Sequence, residues 1–477
     1  MRILLVEDDR DFVDGIKPRL EAIGNVVVTV AESRDAAFRT FDELPNAFID
    51  IVVLDLKLPT SNASFDASVD HGQAVFSRAI QSAPGVPLIL LTGSSVEQFA
   101  RKLVRTARQE DVWGEGQTMS TIDVFPKTDL LEFLEHMRTL YPKIEATNNI
   151  DVTTGVHTLT LSSVEKRTLR IFTRKRAGTT CIVSSLNGGL SASRVLRVKV
   201  HDGTGALQID AAAKLGLLEV IDDESNRFTN LDRLTPGSHP AKVEVIRFGA
   251  INSGGVFYNL LNDFNSSLFD RLQHGDVDAH LVPAIKQLLA PWRQGVPTGN
   301  VTIAQIRRKL MSDADLATVQ NQFGLIWIPE IEAKTIQSRS CCIHGDLHGG
   351  NLLLSSTGQP MLIDFGDVGP GTISLDPITL ELCLYFHPQF APISAAWVGG
   401  IDADNWHLLD QYSASMPRPQ FVRDCRAWAH DVAASGREVL ASAYAYLVRQ
   451  LMYPDTDKAL AQRLLESVKK AIYATYD

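Results

Sequence analysis

The chain has 477 residues, more than one hydrophobic core usually organises, so about two to four domains are expected. Its 46 Lys and Arg against 56 Asp and Glu leave a formal net charge of −10, which argues against a generally nucleic-acid-binding surface, and the 45% hydrophobic content is ordinary for a globular protein. No run of about 20 apolar residues suggests a membrane span, Met1-Arg2 enters a strand pattern with no room for a signal peptide, and the five cysteines lack metal-ligand spacing, so a cytoplasmic protein without a membrane partner is expected.

From the start, strand patterns at 3–6, 26–31, 51–54, 87–91 and 122–126 alternate with helical patterns near 12–23, 33–43, 72–82, 95–109 and 129–140. Near-continuous apolar strands between amphipathic helices predict an α/β domain with a doubly wound, five-stranded parallel sheet. Ligands of such sheets bind outside the carboxyl ends of the strands. There the sequence places Glu7 and Asp8, then Asp55, Thr92 and Lys127, while Asp9 suits a helix cap. Clustered carboxylates repel one another unless a cation joins them, and a lysine offsets the charge that a phosphoryl group adds.

This pattern resembles the response-regulator receiver domain over residues 1–140. The resemblance implies that Asp55 accepts a phosphoryl group from a sensor histidine kinase or phosphotransfer protein. It implies that Glu7, Asp8 and Asp55 hold Mg²⁺ and that Thr92 and Lys127 are the switch residues. A second copy of the chain is a candidate partner. The chain departs from the family in an enlarged loop at 61–70, a long stretch between Thr92 and Lys127, and Val124 where the family often has its switch aromatic. The alternative is a receiver used only for docking.

Residues 141–179 read as a linker, polar and proline-marked to Gly155, then carrying an amphipathic helix from Leu159 to Arg176. The run Arg167, Arg170, Arg174, Lys175, Arg176 reads as the solvated end of that helix. Residues 180–262 carry strand patterns around a glycine turn, Asn187 to Ser193, in which Gly188, Gly189 and Ser191 would let the backbone approach phosphates. Lys214 is the candidate for pairing the α/β-phosphates, with Lys199 competing. Glu224 is its candidate carboxylate partner, with Glu219 the alternative.

From 263 to 477 helical periodicity dominates, interrupted by a hairpin pattern whose strands flank residues 355–360. Before the hairpin stands His344-Gly345-Asp346-Leu347-His348 with Asn351; after it stands Asp364-Phe365-Gly366-Asp367, thirteen residues beyond Asn351. Phosphoryl transfer needs a carboxylate to take the acceptor proton and an amide oxygen and a carboxylate to hold Mg²⁺ against the triphosphate. Asp346 fits the first role, Asn351 and Asp364 the second.

These motifs resemble those of aminoglycoside/choline-kinase-like phosphotransferases, and within them the subgroup called ternary-complex-associated domains. The resemblance covers residues 180–477 and implies a bilobal protein-kinase-like α+β domain with an N-lobe at 180–262 and a mostly helical C-lobe at 263–477. It implies ATP and Mg²⁺ as cofactors and a small-molecule acceptor whose identity the motifs leave open. Ser374 to Pro377 replaces the long activation segment of protein kinases, and Asp376 is expected to cap the next helix. The whole chain then reads as a two-component response regulator controlling a phosphotransferase, or else a receiver-controlled nucleotide-binding pseudokinase.

Overall fold

The computed structural model describes the chain except residues 45–47, 94–102, 104–105, 156–158, 186–193, 261–262, 265, 276–279 and 477. The described residues form two compact units, Met1–Asp222 with Lys242–Leu260, and Asp223–Ala241 with Leu261–Asp477.

The first unit opens with β1 (Arg2–Val6), α1 (Arg10–Glu21), β2 (Val27–Ala31), α2 (Arg34–Asp42), β3 (Ile51–Leu54), α3 (Val69–Ser82), β4 (Leu88–Thr92), β5 (Ile122–Pro126) and α4 (Leu130–Asn148). The strands form a parallel sheet in the order β2-β1-β3-β4-β5. Every residue of β3 and all but Arg2 of β1 are buried, because helices cover both faces. The strand order reverses between β1 and β3, so the crevice at their carboxyl ends opens beside Glu7 and Asp55. Asp9 caps α1 as expected, accepting from the Phe12 N–H at 3.1 Å. The helix expected near 95–109 falls largely outside the described residues. The lengthened stretch before β5 has a packing role: its Trp113 is buried against Phe133, Met137 and Ile144 of α4.

Residues 141–179 are not an open linker. Leu140, Ile144 and Thr147 are buried, so α4 continues to Asn148. Asp151–Thr154 then forms β6, which pairs in parallel with β7 (Thr180–Ser185). Between them lies α5 (Ser163–Lys175), started by a reciprocal cap of Ser162 and Glu165. A six-stranded sheet follows in the order β10-β11-β9-β8-β7-β6, with β8 (Arg194–His201), β9 (Leu207–Leu217), β10 (Lys242–Ile246) and β11 (Ser253–Asn259). Helix α5 packs its apolar side on this sheet, with Phe172 stacked on Phe257 at 3.8 Å.

The arginine run on α5 also departs from expectation: it is engaged, not solvated. Arg167 is buried, donates to Asp50 Oδ1 at 2.7 Å and to Asn148 Oδ1 at 3.0 Å, and lies over the Phe48 ring. Arg170 donates to the Ile150 carbonyl, Arg174 to the Trp113 carbonyl, and Arg176 to Glu244 and the Val243 carbonyl. Long cationic side chains bury their stems and find acceptors wherever two layers meet, which charge spacing alone does not reveal. Backbones also meet: Gly249 N donates to Gly85 O at 2.7 Å, and with φ +87° and the Val112 carbonyl 2.6 Å from where a Cβ would lie, residue 249 must be glycine. The receiver-like sheet and the six-stranded sheet are thus parts of one packed body.

A prediction arises here. Arg167→Met leaves the Asp50 carboxylate buried with the Arg2 N–H, at 2.7 Å, as its remaining donor among the described residues. Breaking one side of a buried pair typically costs about 3–5 kcal/mol. Denaturant unfolding should show a loss of that size, whereas Arg10→Ala, which removes an exposed pair, should change stability by less than about 1 kcal/mol.

The second unit is mostly helical around a large core that includes Trp406, Tyr412 and Tyr444. Its small sheets are Ser266–Ser267 with Leu352–Leu354 and Pro360–Leu362, and Thr298–Thr302 with Thr335–Ile343 and Gly369–Thr372. The hairpin expected between Asn351 and Asp364 is present. The six-stranded sheet and this helical body have the α+β make-up of a bilobal kinase-like domain. Among the described residues no helix is long and apolar enough to cross a membrane.

Candidate functional site

Two polar centres stand out, one in each unit. In the first, β1 and β3 end side by side and deliver Glu7 and Asp55, both buried. Lys127 follows β5 and its Nζ lies 2.7 Å from Glu7 Oε2 and 2.7 Å from Asp55 Oδ2, with the ammonium over the Phe12 ring. Glu7, Asp8 and Asp55 each offer a carboxylate oxygen, and these oxygens lie within 4.8 Å of one another. Burial raises the Glu7 carboxyl to about 7 despite the Lys127 ion pair, and burial also raises Asp8. Burial works against the Lys127 charge, but its bonds to Asp55 and Glu7 outweigh that and raise its pKa. Three carboxylates crowded at a sheet edge, one of them reluctant to ionise, suit a divalent cation with oxygen ligands. The Thr92 side chain lies outside the described residues.

The raised Glu7 value gives a signed expectation. Below pH about 7 a proton occupies Glu7, and a cation must displace it. Mg²⁺ affinity at this centre should therefore fall by about tenfold per pH unit below 7 and level off above it. Calorimetric Mg²⁺ titrations of nucleotide-free protein between pH 5.5 and 8.5, about 1.5 units either side of that value, would read the slope, and Glu7→Gln should flatten it.

The second centre is built on the loop after the strand Thr335–Ile343. Asp376 fastens its start, accepting from His344 N at 2.9 Å on Oδ2 and from Gly345 N at 3.0 Å on Oδ1. That corrects the expected capping role: the helix Leu375–Phe386 begins at Ser374 without a side-chain cap. A carboxylate buried there is spent on the loop's backbone donors instead. Gly345 takes φ +83°, and a Cβ there would lie 2.5 Å from the Asp367 carbonyl, so the loop is drawn against the segment after Asp364. Ile363 N donates to Asn351 O at 3.0 Å, and His344 Nε2 lies 3.1 Å from the Ile363 carbonyl, tying both motif halves together. Asp364 sits at φ +60°, a left-handed conformation uncommon for a residue with a side chain and concentrated at working sites. Phe365 is buried beside the rings of Phe228, His239 and His344.

Asn351 is buried, and its Nδ2 donates to the Asp346 carbonyl at 2.9 Å. That bond fixes the amide, and its Oδ1 is buried without a hydrogen-bond partner among the described residues. An orphaned acceptor in the interior costs about 1–3 kcal/mol unless something fills it. An amide oxygen with the carboxylate of Asp364 is a donor set for Mg²⁺, so the residues present fit that ion.

Asp346 remains a third exposed. Burial raises its pKa, Arg449 and His344 oppose the rise, and Asp364 adds to it. His348 Nδ1 accepts from Gly350 N at 3.1 Å, which leaves Nε2 protonated and 3.6 Å from Asp346 Oδ2. Burial lowers both His348 and the His387 ring 4.0 Å away to about 3, so both are neutral at physiological pH. Arg449, on the helix Gly436–Gln450, brings Nη1 within 3.8 Å of Asp346 Oδ1. The sequence reading missed Arg449, His387 and the loop-fastening role of Asp376. None belongs to a local motif, and only the fold brings them to the loop.

The remaining candidates separate by burial. Lys214 is 5% exposed on β9, between Val195 of β8 and Val256 of β11, whereas the side chain of Lys199 is 44% exposed and lies 4.0 Å from Asp210. Glu224 is buried and Glu219 exposed. Gly188, Gly189 and Ser191 lie outside the described residues.

Residues 185–412 match the family described as "Phosphotransferase enzyme family". Among solved structures, a CheY-like response regulator receiver domain protein from Methanospirillum hungatei JF-1 is 23% identical, with 30% of this chain and 96% of that chain covered and a TM-score of 0.22. An aminoglycoside-3'-phosphotransferase of type VIII is 17% identical, with 57% and 94% covered and a TM-score of 0.33. Choline kinase LicA from Streptococcus pneumoniae is 12% identical, with 60% and 93% covered and a TM-score of 0.35. No curated protein matches the chain.

Proposed function

We propose that the chain is a two-component response regulator in which phosphorylation of Asp55 controls an ATP- and Mg²⁺-dependent phosphotransferase acting on a small non-protein acceptor. Its upstream partner is a sensor histidine kinase or phosphotransfer protein, and its place is the cytoplasm, where its five free cysteines stay reduced. The observation that carries the transferase half is the Oδ1 of Asn351, buried with no hydrogen-bond partner among the described residues and fixed by the bond its own Nδ2 makes to the Asp346 loop.

In this reading Asn351 and Asp364 would hold Mg²⁺, which when bound would neutralise charge on the phosphates. Asp346 takes the proton of the acceptor hydroxyl or amine as that atom bonds to the γ-phosphorus, and the bond to the bridging oxygen breaks to release ADP. The raised Asp346 pKa suits a base that must receive a proton. His348 and His387, both neutral, add no charge beside the base. At the other centre an Asp55 carboxylate oxygen bonds to the phosphorus of a phosphorylated histidine of the partner as the N–P bond breaks and the imidazole leaves; Glu7 and Asp8 would hold Mg²⁺, and Lys127 exchanges its carboxylate contacts for the new phosphoryl oxygens.

Control is supported by the packing inside the first unit. Asp55 follows β3 and Asp50 precedes it; Asp50 holds Arg167 of α5; and Phe172 of α5 stacks on Phe257, which pairs with Ala213 next to Lys214. A coupling of about 1–3 kcal/mol along such a body changes affinity roughly 5–150-fold. The test is an acceptor screen following ATP consumption with and without a small phosphodonor. Consumption sensitive to Asp346→Asn and altered by phosphodonor only when Asp55 is intact supports the reading. Nucleotide binding without any such consumption would make the module a pseudokinase.

A further inference from the structure

Three arginines of the second unit are used in two ways. Arg307 spends its guanidinium on Glu332 through Nε at 2.8 Å and Nη2 at 2.7 Å, and on Asp313 at 2.7 Å. Arg426 grips Glu381 through Nε at 2.8 Å and Nη2 at 2.5 Å. Arg449 is different. Its Nε donates to the Tyr453 hydroxyl at 2.7 Å, which sets the plane of the fork, while its terminal nitrogens make no hydrogen bond among the described residues. Nη1 stops 3.8 Å from Asp346 Oδ1, beyond hydrogen-bond length, and the side chain is 20% exposed.

We propose that Arg449 selects the acceptor: the molecule phosphorylated beside Asp346 carries an anionic group, a carboxylate or a phosphate, that the free fork of Arg449 takes bidentately. This rests on the transferase reading of Asp346. A guanidinium fixed in plane, with its terminal donors unspent among the described residues and its side chain partly exposed, matches the two oxygens of such a group in geometry and charge. A residue serving only to neutralise Asp346 would close on it as Arg426 closes on Glu381. A quaternary or polyamine acceptor would have to place its positive charge against Arg449, which opposes binding.

The experiment uses full-length protein with saturating Mg²⁺–ATP and four probes of similar size: glycerate, glycerol 3-phosphate, glycerol and choline. Glycerate or glycerol 3-phosphate should be the better acceptor, and Arg449→Met should raise its KM at least about tenfold with a smaller change in kcat, a KM effect several-fold larger than the one it has on glycerol. Arg449→Lys should restore part of the loss, since it keeps the charge and not the fork. Preference for choline, or an Arg449→Met effect equal for all probes and explained by a shifted pH profile, would overturn the assignment. If no probe gives Asp346→Asn-sensitive consumption, saturation-transfer NMR with a non-hydrolysable ATP analogue decides separately. Glycerate or glycerol 3-phosphate binding lost in Arg449→Met upholds the anion site while the transferase reading falls, and no such binding at millimolar probe overturns it.

Discussion

Asp346→Asn is expected to keep Mg²⁺–nucleotide affinity near that of the unaltered protein and to lose phosphoryl transfer by about 10²–10⁴-fold, the usual contribution of a positioned general base. The expectation follows from where the side chain's oxygens go. The Asp346 carbonyl, not its carboxylate, holds the Asn351 amide, so exchanging the carboxylate for an amide leaves the metal-side geometry in place. The carboxylate faces His348 Nε2 and Arg449 at 3.6 and 3.8 Å, too far for either to satisfy it, and stays open to an acceptor. Asp364→Asn should behave in the opposite sense, weakening Mg²⁺–nucleotide binding itself. Equilibrium nucleotide titration beside single-turnover assays separates the two. Equal loss of binding in both variants would mean that Asp346 is a metal ligand rather than the base.

Asp55→Asn is expected to abolish acid-labile incorporation of phosphoryl groups from a small phosphodonor, where the unaltered protein takes up one per chain. The carboxylate oxygen is the nucleophile, and an amide in its place neither attacks phosphorus nor forms the aspartyl phosphate. Asp55 Oδ2 already meets Lys127 at 2.7 Å, and Lys57 N donates to Oδ1 at 3.3 Å, so the carboxylate is held in place before any phosphoryl group arrives. Intact-mass measurement after brief phosphodonor treatment reads the result. Undiminished labelling of Asp55→Asn would remove Asp55 from the role. Loss of labelling with no change in nucleotide affinity or turnover would leave the receiver-like part a targeting module beside an independent enzyme.

Much of this molecule is written locally. The short, β-branched-rich, all-apolar runs at 3–6 and 51–54 read as strands covered on both faces, and such strands placed between amphipathic helices yield a parallel sheet, which is what β1 and β3 form. Side chains immediately beyond those strands must then lie along one crevice, so Glu7 and Asp55 come together without any further information. The segment around Asp346, Asn351 and Asp364 is equally self-contained, because a tight loop and a short hairpin confine all three positions.

What only the tertiary structure decided involves side chains whose partners are far away in the chain. A run of arginines at 167–176 has the same composition whether it is solvated or buried, and it is the acceptors on Asp50, Ile150, Trp113 and Glu244, brought up by packing, that turn it into the joint between two sheets. Polar stretches read as linker become helix and strand when a neighbouring sheet has a free edge, as β7 offers to β6. Asp376 reads as a cap and Arg449 as one more helical cation until the fold sets them beside the Asp346 loop. Hydrophobic periodicity reports which face of an element is buried, not what a charged group on that element will meet, and long-range electrostatic partners are therefore settled only when the chain has packed.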